Sequence, residues 1–463
     1  MNIKNIIKKS TWMVCVAVCL GTAAMAQNPL VMDQFTADPT ARVFGDRIYV
    51  YPSHDIRCDE RQGRPDWFCM EDYHVFSSSN LTEWEDHGMI VSQENVPWAD
   101  EEAYSMWAPD CIEKDGKYYF YFPTRKKEAD ANEKGFSIGV AVADHPEGPF
   151  VPQDQPIKGV RGIDPNVLID NDGQAYLYWS EGHIYGAKLK DNMLELASPP
   201  KILKDLPSKG LKEGPFVFER EGIYYMTYPH VENKTERLEY AIGNNPLGPF
   251  EFQGVIMDES PTGCWTNHHS LVIFRDQWYL FYHHNDLSPD FDKNRSIRAD
   301  SLFFDTQGKI KKVTPTYRGI GLSSAFEKVH LDRYSRLSER GAVITFLDES
   351  NPFLGWKTVL ENEEGWIKYD AVDFGKENTQ SMTWRVRAPR GGNVQIRQGS
   401  KEGKLISKVE MKRNAEWQSI TVPLAHSPSG IKDLVLKGNS PGIIEVDWVR
   451  WEKTKEKQGE LLE

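Results

Sequence analysis

The chain is poor in cysteine, in positive charge and in long apolar runs. It holds six cysteines in 463 residues, and no CxxC or HExxH spacing occurs, which argues against a zinc module. A formal net charge of −13 leaves no basic face for nucleic acid and disfavours polyanionic ligands, although a local basic cleft would override the global sign. The one long apolar stretch, Thr11 to Ala24, is shorter than the ~20 residues of a spanning helix. It follows Lys4, Lys8 and Lys9 and ends in Ala24-Met25-Ala26, the small–x–small pattern read by signal peptidase. Residues 1–26 are therefore expected to be a leader cleaved after Ala26, making the protein secreted or periplasmic. Lipoprotein processing at Cys19 is the competing reading, but Val18 before it is large for such a site. Cys58, Cys69, Cys111 and Cys264 then remain. Cys58 and Cys69 bracket a polar loop that could close on itself, and connectivity stays open.

What the chain has in abundance is a repeat. A turn followed by an aromatic-rich strand occurs as GDRIYVYPS from Gly45, DGKYYFYFP from Asp115, DGQAYLYWS from Asp172, EGIYYMTYP from Glu221 and RDQWYLFYH from Arg275. Each is preceded by a second short strand (DPTARVF, PDCIEKD, DPNVLID, EGPFVFE, HHSLVIF), which together read as hairpins. The strand heads are Asp38, Asp110, Asp164, Glu213 and His268, spaced by 72, 54, 49 and 55 residues. A four-stranded propeller blade takes about 40–50 residues, so the spacing predicts a five-bladed β-propeller over residues 27–325. The first blade carries an insertion around Ile56–Met70, and Arg125–Lys134 reads as a solvated loop. HPEGPF at His145 and NPLGPF at Asn245 look like equivalent outer corners of two blades. Residues 326–350 are charged and mixed, and are expected to bridge to a second domain. Residues 351–463 alternate over several short strands separated by turns, as in a β-sandwich of jelly-roll type. The fold class is all-β throughout.

In a propeller the innermost strands surround one axis, so the five heads converge. An Asp before Pro is ordinarily a turn opener, but ionisable groups in register at every blade are costly unless paired, bound to a cation, or used.

The ordered set ADP at 37–39, WAPD at 107–110, IDPN at 163–166, KEGPF at 212–216 and NHHS at 267–270 resembles glycoside hydrolase family 43. The tail is similar, more loosely, to carbohydrate-binding module family 6. The resemblance implies an inverting glycosidase with Asp38 as general base, Glu213 as general acid, and Asp164 as the third carboxylate, raising the pKa of its neighbour. This is the division of labour that glycosidic cleavage requires, with carboxyls roughly 6.5–9.5 Å apart in inverting enzymes. Strand alternation aims Lys212 away from the acid. The resemblance further implies a hydrated Ca²⁺ beside His268, with His269 the competing candidate, and an arginine reaching the sugar, Arg295. Imidazole is a poor direct calcium ligand, so a contact through water is expected. Phe35 and Trp107 are candidate walls of the sugar pocket, whereas His283 and His284 are expected to be structural.

The implied partner is a neutral pentose-containing oligo- or polysaccharide met by a monomer. The expected activity is that of an exo-acting β-xylosidase or α-L-arabinofuranosidase, with arabinanase or galactosidase as alternatives. A non-catalytic carbohydrate-binding propeller is the rival from another class, and it would need no acid and base together. Related retaining fructan hydrolases open with a WxxDPN-type motif, which QFTADPTA does not match. In the tail, Glu445-Val446-Asp447-Trp448 replaces the Asn-x-Asp-Trp ending of such modules. Trp366, Tyr369, Trp384 and Trp417 are candidates either for a binding cleft or for the core, and packing against the propeller is the alternative role for this domain.

Overall fold

The computed structural model describes residues 27–453 except 60–61, 128–134, 208, 377 and 440. The expected leader and most of the loop at 125–134 lie outside them. Five antiparallel sheets follow in sequence, begun by the inner strands Phe35–Phe44, Asp110–Lys114, Ile163–Ile169, Phe216–Arg220 and Ser270–Phe274. Two further sheets form the sandwich. Among the described residues there is no α-helix, and none long and apolar enough to cross a membrane.

The inner hairpins follow from their turn residues. Three of the two-residue turns, Asp115-Gly116, Glu221-Gly222 and Arg275-Asp276, have both residues at positive φ. That is the primed turn whose twist matches a hairpin. The second strand of each blade then reads as a nearly unbroken aromatic run because both its faces are buried. In blade 3, Tyr176 and Tyr178 enter the core shared with blade 4, while Leu177 and Trp179 enter the core shared with blade 2. The propeller thus has one apolar layer between each pair of neighbouring blades. Period-2 alternation deals side chains to alternate layers.

The ring is closed by the N-terminal segment. Leu30 N–H donates to Ile297 O (2.9 Å), Thr36 N–H to Arg295 O (3.0 Å), and Ala299 N–H to the Asn28 side chain (2.8 Å). This segment flanks Ser296–Leu302, the third strand of the three-stranded fifth sheet. The insertion expected in blade 1 lies between its second and third strands and is closed by a Cys58–Cys69 disulfide. Cys111 and Cys264 are free and buried.

The stretch 326–350 does more than bridge. Ser323–Ser324 and Arg336–Leu337 pair with Trp366–Asp373, and Ala342–Phe346 pairs with Trp356–Leu360, so the sandwich begins just before the segment expected to be a linker and runs through it. Its charged residues masked short strands whose register is set by neighbours far along the chain. Of the four aromatics proposed for a cleft, Trp384 and Tyr369 are core, whereas Trp366 and Trp417 are part-exposed and lie under cations.

The two domains share a packed boundary. Phe35 meets Phe353 at 5.0 Å between centroids, Gln27 donates to the Tyr369 hydroxyl (2.7 Å), and Arg318 Nε donates to Asp370 O (2.8 Å). Arg333 is buried, pairs with Asp332, stacks 3.9 Å from Trp356 and donates to Asn28 O (2.7 Å) in the ring-closing segment. Arg333→Ala is therefore expected to cost about 3 kcal/mol, because it strands buried Asp332 without its cation. Denaturant melts are expected to show the propeller and the sandwich weakened together. An unchanged midpoint would show that this boundary contributes nothing to stability.

Candidate active site

The inner strand of each blade has a sheet edge facing the axis, where no further strand can pair. Its N–H groups still need acceptors. The neighbouring blade supplies them from side chains: Asp110 accepts from Val167 N–H (2.7 Å), Asn166 from Val217 N–H (2.8 Å), and Ser270 from Ala41 N–H (2.8 Å). Asp110 also accepts from Thr40, Asn166 and the Arg42 guanidinium. This head residue is therefore a tie between three blades, with both oxygens occupied.

The other carboxylates sit where the inner strands bulge. Between Ala37 and Thr40, and again between Ile163 and Asn166, the inner strand holds one residue more than its partner. Asp38 and Asp164 adopt φ of 50° and 58° there. In blade 4 the interruption falls at Glu213-Gly214-Pro215, with Gly214 at φ 53°. A bulge re-aims its side chain, and a left-handed non-glycine residue costs about 1 kcal/mol or more. A side chain at Gly214 would also meet the His268 Nδ1 at 2.9 Å and Pro229 at 3.0 Å. The three carboxyls open on one cavity of about 230 Å³, with Trp67, Phe68, Trp107 and Trp265 as walls. A second cleft shares Ile163, Leu211 and Glu213 with it but lacks Asp38.

Counter-charge divides these acids into two sets. Arg295 is buried and reaches Asp38 Oδ1 with Nη1 (2.8 Å). Its Nε and Nη2 hold both oxygens of Asp55, each at 2.9 Å. Burial raises Asp38 above the ordinary carboxylate range, and Arg295 and Ser53 pull it back. Burial opposes the charge on Arg295, but Asp38 and Asp55 more than offset it and keep the guanidinium ionised. His283 fixes the Asp38 backbone: its Nδ1 accepts the Asp38 N–H (3.1 Å) and its Nε2–H points to Thr266 O (3.1 Å). The imidazole is neutral because burial, and then Arg295, push its pKa well down. The histidine expected to be structural therefore positions the aspartate.

Asp164, Glu213 and Glu236 form the second set, without a cation bonded to any of them among the described residues. Burial raises all three; Asp164 is raised further by Glu213 and Asp38, and Glu236 further by Glu213. Glu236 is 1% exposed, takes the Asn267 N–H on Oε2 (2.6 Å) and hydrogen-bonds the Glu213 carboxyl. Two carboxyls in contact cannot both ionise freely, so the Glu213–Glu236 pair holds a proton between them. Lys212, whose Nζ bonds Lys209 O and Gly210 O, points away from this group as alternation required. Glu236 carried no signal in the sequence, because a glutamate in an ordinary third-strand position looks solvated.

Asn267 also escaped sequence reasoning, whereas Trp107 lies where it was expected. Asn267 lines the cavity at 1% exposure with neither side-chain polar atom bonded, as does Trp107 Nε1. Buried polar groups without partners are rare, and these face the space a ligand would fill. Phe35, expected as a wall, is absent from the cavity; its ring is claimed by Phe353 of the second domain. His268 lines the cavity and is pushed down to about 3 by burial and then Arg295, so it is a neutral imidazole. His269 is fully buried against the Thr227 hydroxyl (2.6 Å). Among the described residues no cluster of carboxylates stands beside His268 to cage a metal, and nearby Asp110 is fully bonded. The residues present fit a hydrated cation touched through water, not a chelated one.

A propeller whose axial cavity has aromatic walls and holds one carboxyl paired with a guanidinium beside others without a bonded cation is the frame of a carbohydrate-cleaving hydrolase. Sequence comparison agrees: the profile of "Glycosyl hydrolases family 43" matches residues 26–310 and that of "Carbohydrate binding module (family 6)" matches residues 349–453. The chain belongs to glycosyl hydrolase family 43. It is 36% identical over 338 residues to xylosidase/arabinosidase 43A of Humicola insolens, covering 62% of this chain and 99% of that one. It is likewise 36% identical to a beta-xylosidase of Xylanibacter ruminicola, over 60% of this chain and 97% of that one. The structure resembles a β-xylosidase/α-arabinofuranosidase from a compost metagenome, solved with xylotriose in a calcium-free form (TM-score 0.57, 35% identity, 63% and 98% coverage). An arabinoxylan arabinofuranohydrolase of Bacillus subtilis, 23% identical with a TM-score of 0.53, shares the fold over 93% of this chain, both domains included.

The Glu213–Glu236 contact makes a stability prediction. Glu236 has a folded pKa raised above its unfolded value, so the folded state binds more protons and stability falls as pH rises above about 4.5. Glu236→Gln keeps the donor to Glu213 and the acceptor for Asn267 but cannot titrate. Its melting temperature is expected to exceed that of the wild type at pH 7 and to match it near pH 4. Equal melting temperatures at both pH values would show that Glu236 bears no raised pKa.

Proposed function

We propose that the protein removes terminal β-xylosyl and α-L-arabinofuranosyl units from pentose-containing oligosaccharides, with inversion at the anomeric carbon. The observation that carries this reading is the division of charge in one cavity. Asp38 is bonded by the Arg295 guanidinium, which favours its charged form, while Asp164, Glu213 and Glu236 have no cation bonded to them among the described residues and burial raises the pKa of each. A base and an acid thus face one space walled by aromatic rings.

In this mechanism Asp38, its Oδ1 held by Arg295, accepts a proton from water as that water attacks the anomeric carbon. Glu213 protonates the departing glycosidic oxygen. Asp164 takes the Gly214 N–H on Oδ2 (2.9 Å), which fixes the backbone beside the acid, and its mutual repulsion with Glu213 keeps the proton on the pair. Glu213 borders both clefts and Asp38 only one, so the sugar lies with Asp38 and the leaving group extends into the second cleft. Trp67 and Phe68, carried on the disulfide-closed insertion, wall the Asp38 side, which favours action on chain ends. Asn267 and Trp107 Nε1 bond sugar hydroxyls. A hydrated calcium ion held through water by His268 would supply positive charge on the axis.

Screening nitrophenyl β-xyloside, α-L-arabinofuranoside and β-galactoside tests the substrate. The two pentosides are expected to be cleaved at least tenfold faster than the hexoside, and preference for the galactoside would overturn the reading.

Two variants test the roles. Asp38→Asn is expected to lower kcat by about 10²–10⁴-fold on every substrate, because the amide cannot take the proton from water; asparagine tolerates the left-handed backbone, so the fold stays intact. Glu213→Gln is expected to cripple cleavage of a disaccharide while a dinitrophenyl glycoside, whose leaving group needs no proton, keeps much of its rate. Equal losses on both substrates would exclude Glu213 as the acid.

A further inference from the structure

Blade 1 carries a second cluster of ligating side chains, on the face of its sheet away from the catalytic groups. On the second strand, Arg47–Asp55, Ser53 and Asp55 turn toward Asp38 and Arg295, so His54 between them projects to the opposite face. On the third strand, Met70–Ser78, Asp72 and His74 stand two residues apart and share a face. The strands bring the three together: a ring nitrogen of each histidine and an oxygen of Asp72 lie within 4.8 Å of one another. Measured from Asp72 Oδ1, His54 Nδ1 is at 2.9 Å and His74 Nε2 at 3.9 Å. Those values bracket the edge of about 3.3 Å expected for a tetrahedron of nitrogen and oxygen ligands around zinc.

The fourth strand, Glu85–Ser92, adds an independent feature. Both oxygens of Asp86 lie 3.2 Å from His74 Nδ1. That contact puts the proton on Nδ1 and leaves the Nε2 lone pair directed at His54 and Asp72. A carboxylate behind a histidine is the usual outer support of a metal-bound imidazole. The three ligand side chains are 15–21% exposed, so an ion can enter and a water can complete the coordination.

We propose that His54, Asp72 and His74, with Asp86 orienting His74, form a binding site for zinc or a similar transition-metal cation. Two imidazoles and one carboxylate suit such ions, whereas calcium prefers oxygen ligands alone. The site is separate from the cavity on the propeller axis. Its ion would tie the second and third strands of blade 1 together, with Asp86 joining the fourth.

Equilibrium dialysis of the chelator-treated, tag-free full chain against ZnCl₂ is expected to give one Zn²⁺ per chain at micromolar free metal, and CaCl₂ is expected not to compete. Saturating Zn²⁺ is expected to raise the melting temperature by about 2–5 °C. Co²⁺ is expected to give the intense visible bands of a four-coordinate nitrogen–oxygen site in the wild type, a readout that needs no variant. Asp86→Ala, at the sheet surface, is expected to weaken Zn²⁺ binding about 10–100-fold while leaving all three ligands in place. His54→Gln/His74→Gln is expected to abolish it. Zn²⁺ bound equally by wild type and the double variant, or a six-coordinate Co²⁺ spectrum, would overturn the proposal.

Discussion

Asp38, Asp55, Asp164 and Glu236 are buried, and Glu213 half-buried, around one axis where, among the described residues, Arg295 is the one cation bonded to them. An isolated ionised carboxylate in such a place would cost several kcal/mol, so the charges must be divided. Arg295 satisfies Asp38 and Asp55, whereas burial without a bonded cation raises the pKa of Asp164, Glu213 and Glu236 and favours keeping protons on that group. The acid–base asymmetry that a glycosidase needs is thus a consequence of where one guanidinium sits. Arg295 itself is placed by ring closure: its carbonyl accepts the Thr36 N–H of the segment that completes blade 5. The first and last parts of the propeller therefore meet at the residue that sets the protonation pattern.

The propeller's inner edges explain the polar strand heads. An edge strand beside an axis cannot add another strand, and its unpaired N–H groups require side-chain acceptors from the next blade. Asp110, Asn166 and Ser270 meet that requirement. The residues left for chemistry are those at which the inner strand bulges and its side chain is aimed into the cavity. Structural and functional acids thus occupy comparable places in the repeat and lie two residues apart along the inner strand, Asp110 matching Thr40 and Asn166 rather than Asp38 and Asp164.

The second domain is joined to the propeller through the same N-terminal segment. Gln27, Asn28 and Phe35 contact residues of the sandwich or of the stretch leading into it, so the segment that closes the ring also carries the domain boundary. A part of the chain that looked like a linker is shared between two cores for this reason, and Phe35 was drawn away from the sugar pocket by it.

The sequence by itself determined the five blades, the sandwich and the convergence of Asp38, Asp164 and Glu213, because turn residues and a period of two are local properties that repeat visibly. It also carried the family, through short motifs at fixed places in that repeat. What it did not carry was anything decided by a partner distant in the chain. Asp110 and Asp38 look alike as strand heads, and only the packing of adjacent blades makes one a tie and the other an open carboxylate. Glu236 and Asn267 look like surface polar residues until the fourth and fifth blades bury them beside Glu213. His283 became the support of Asp38, and Arg295 the counter-charge of two aspartates, across separations of 245 and 240–257 residues. Burial and charge pairing arise from the closed ring, so the protonation pattern of the site belongs to the tertiary structure.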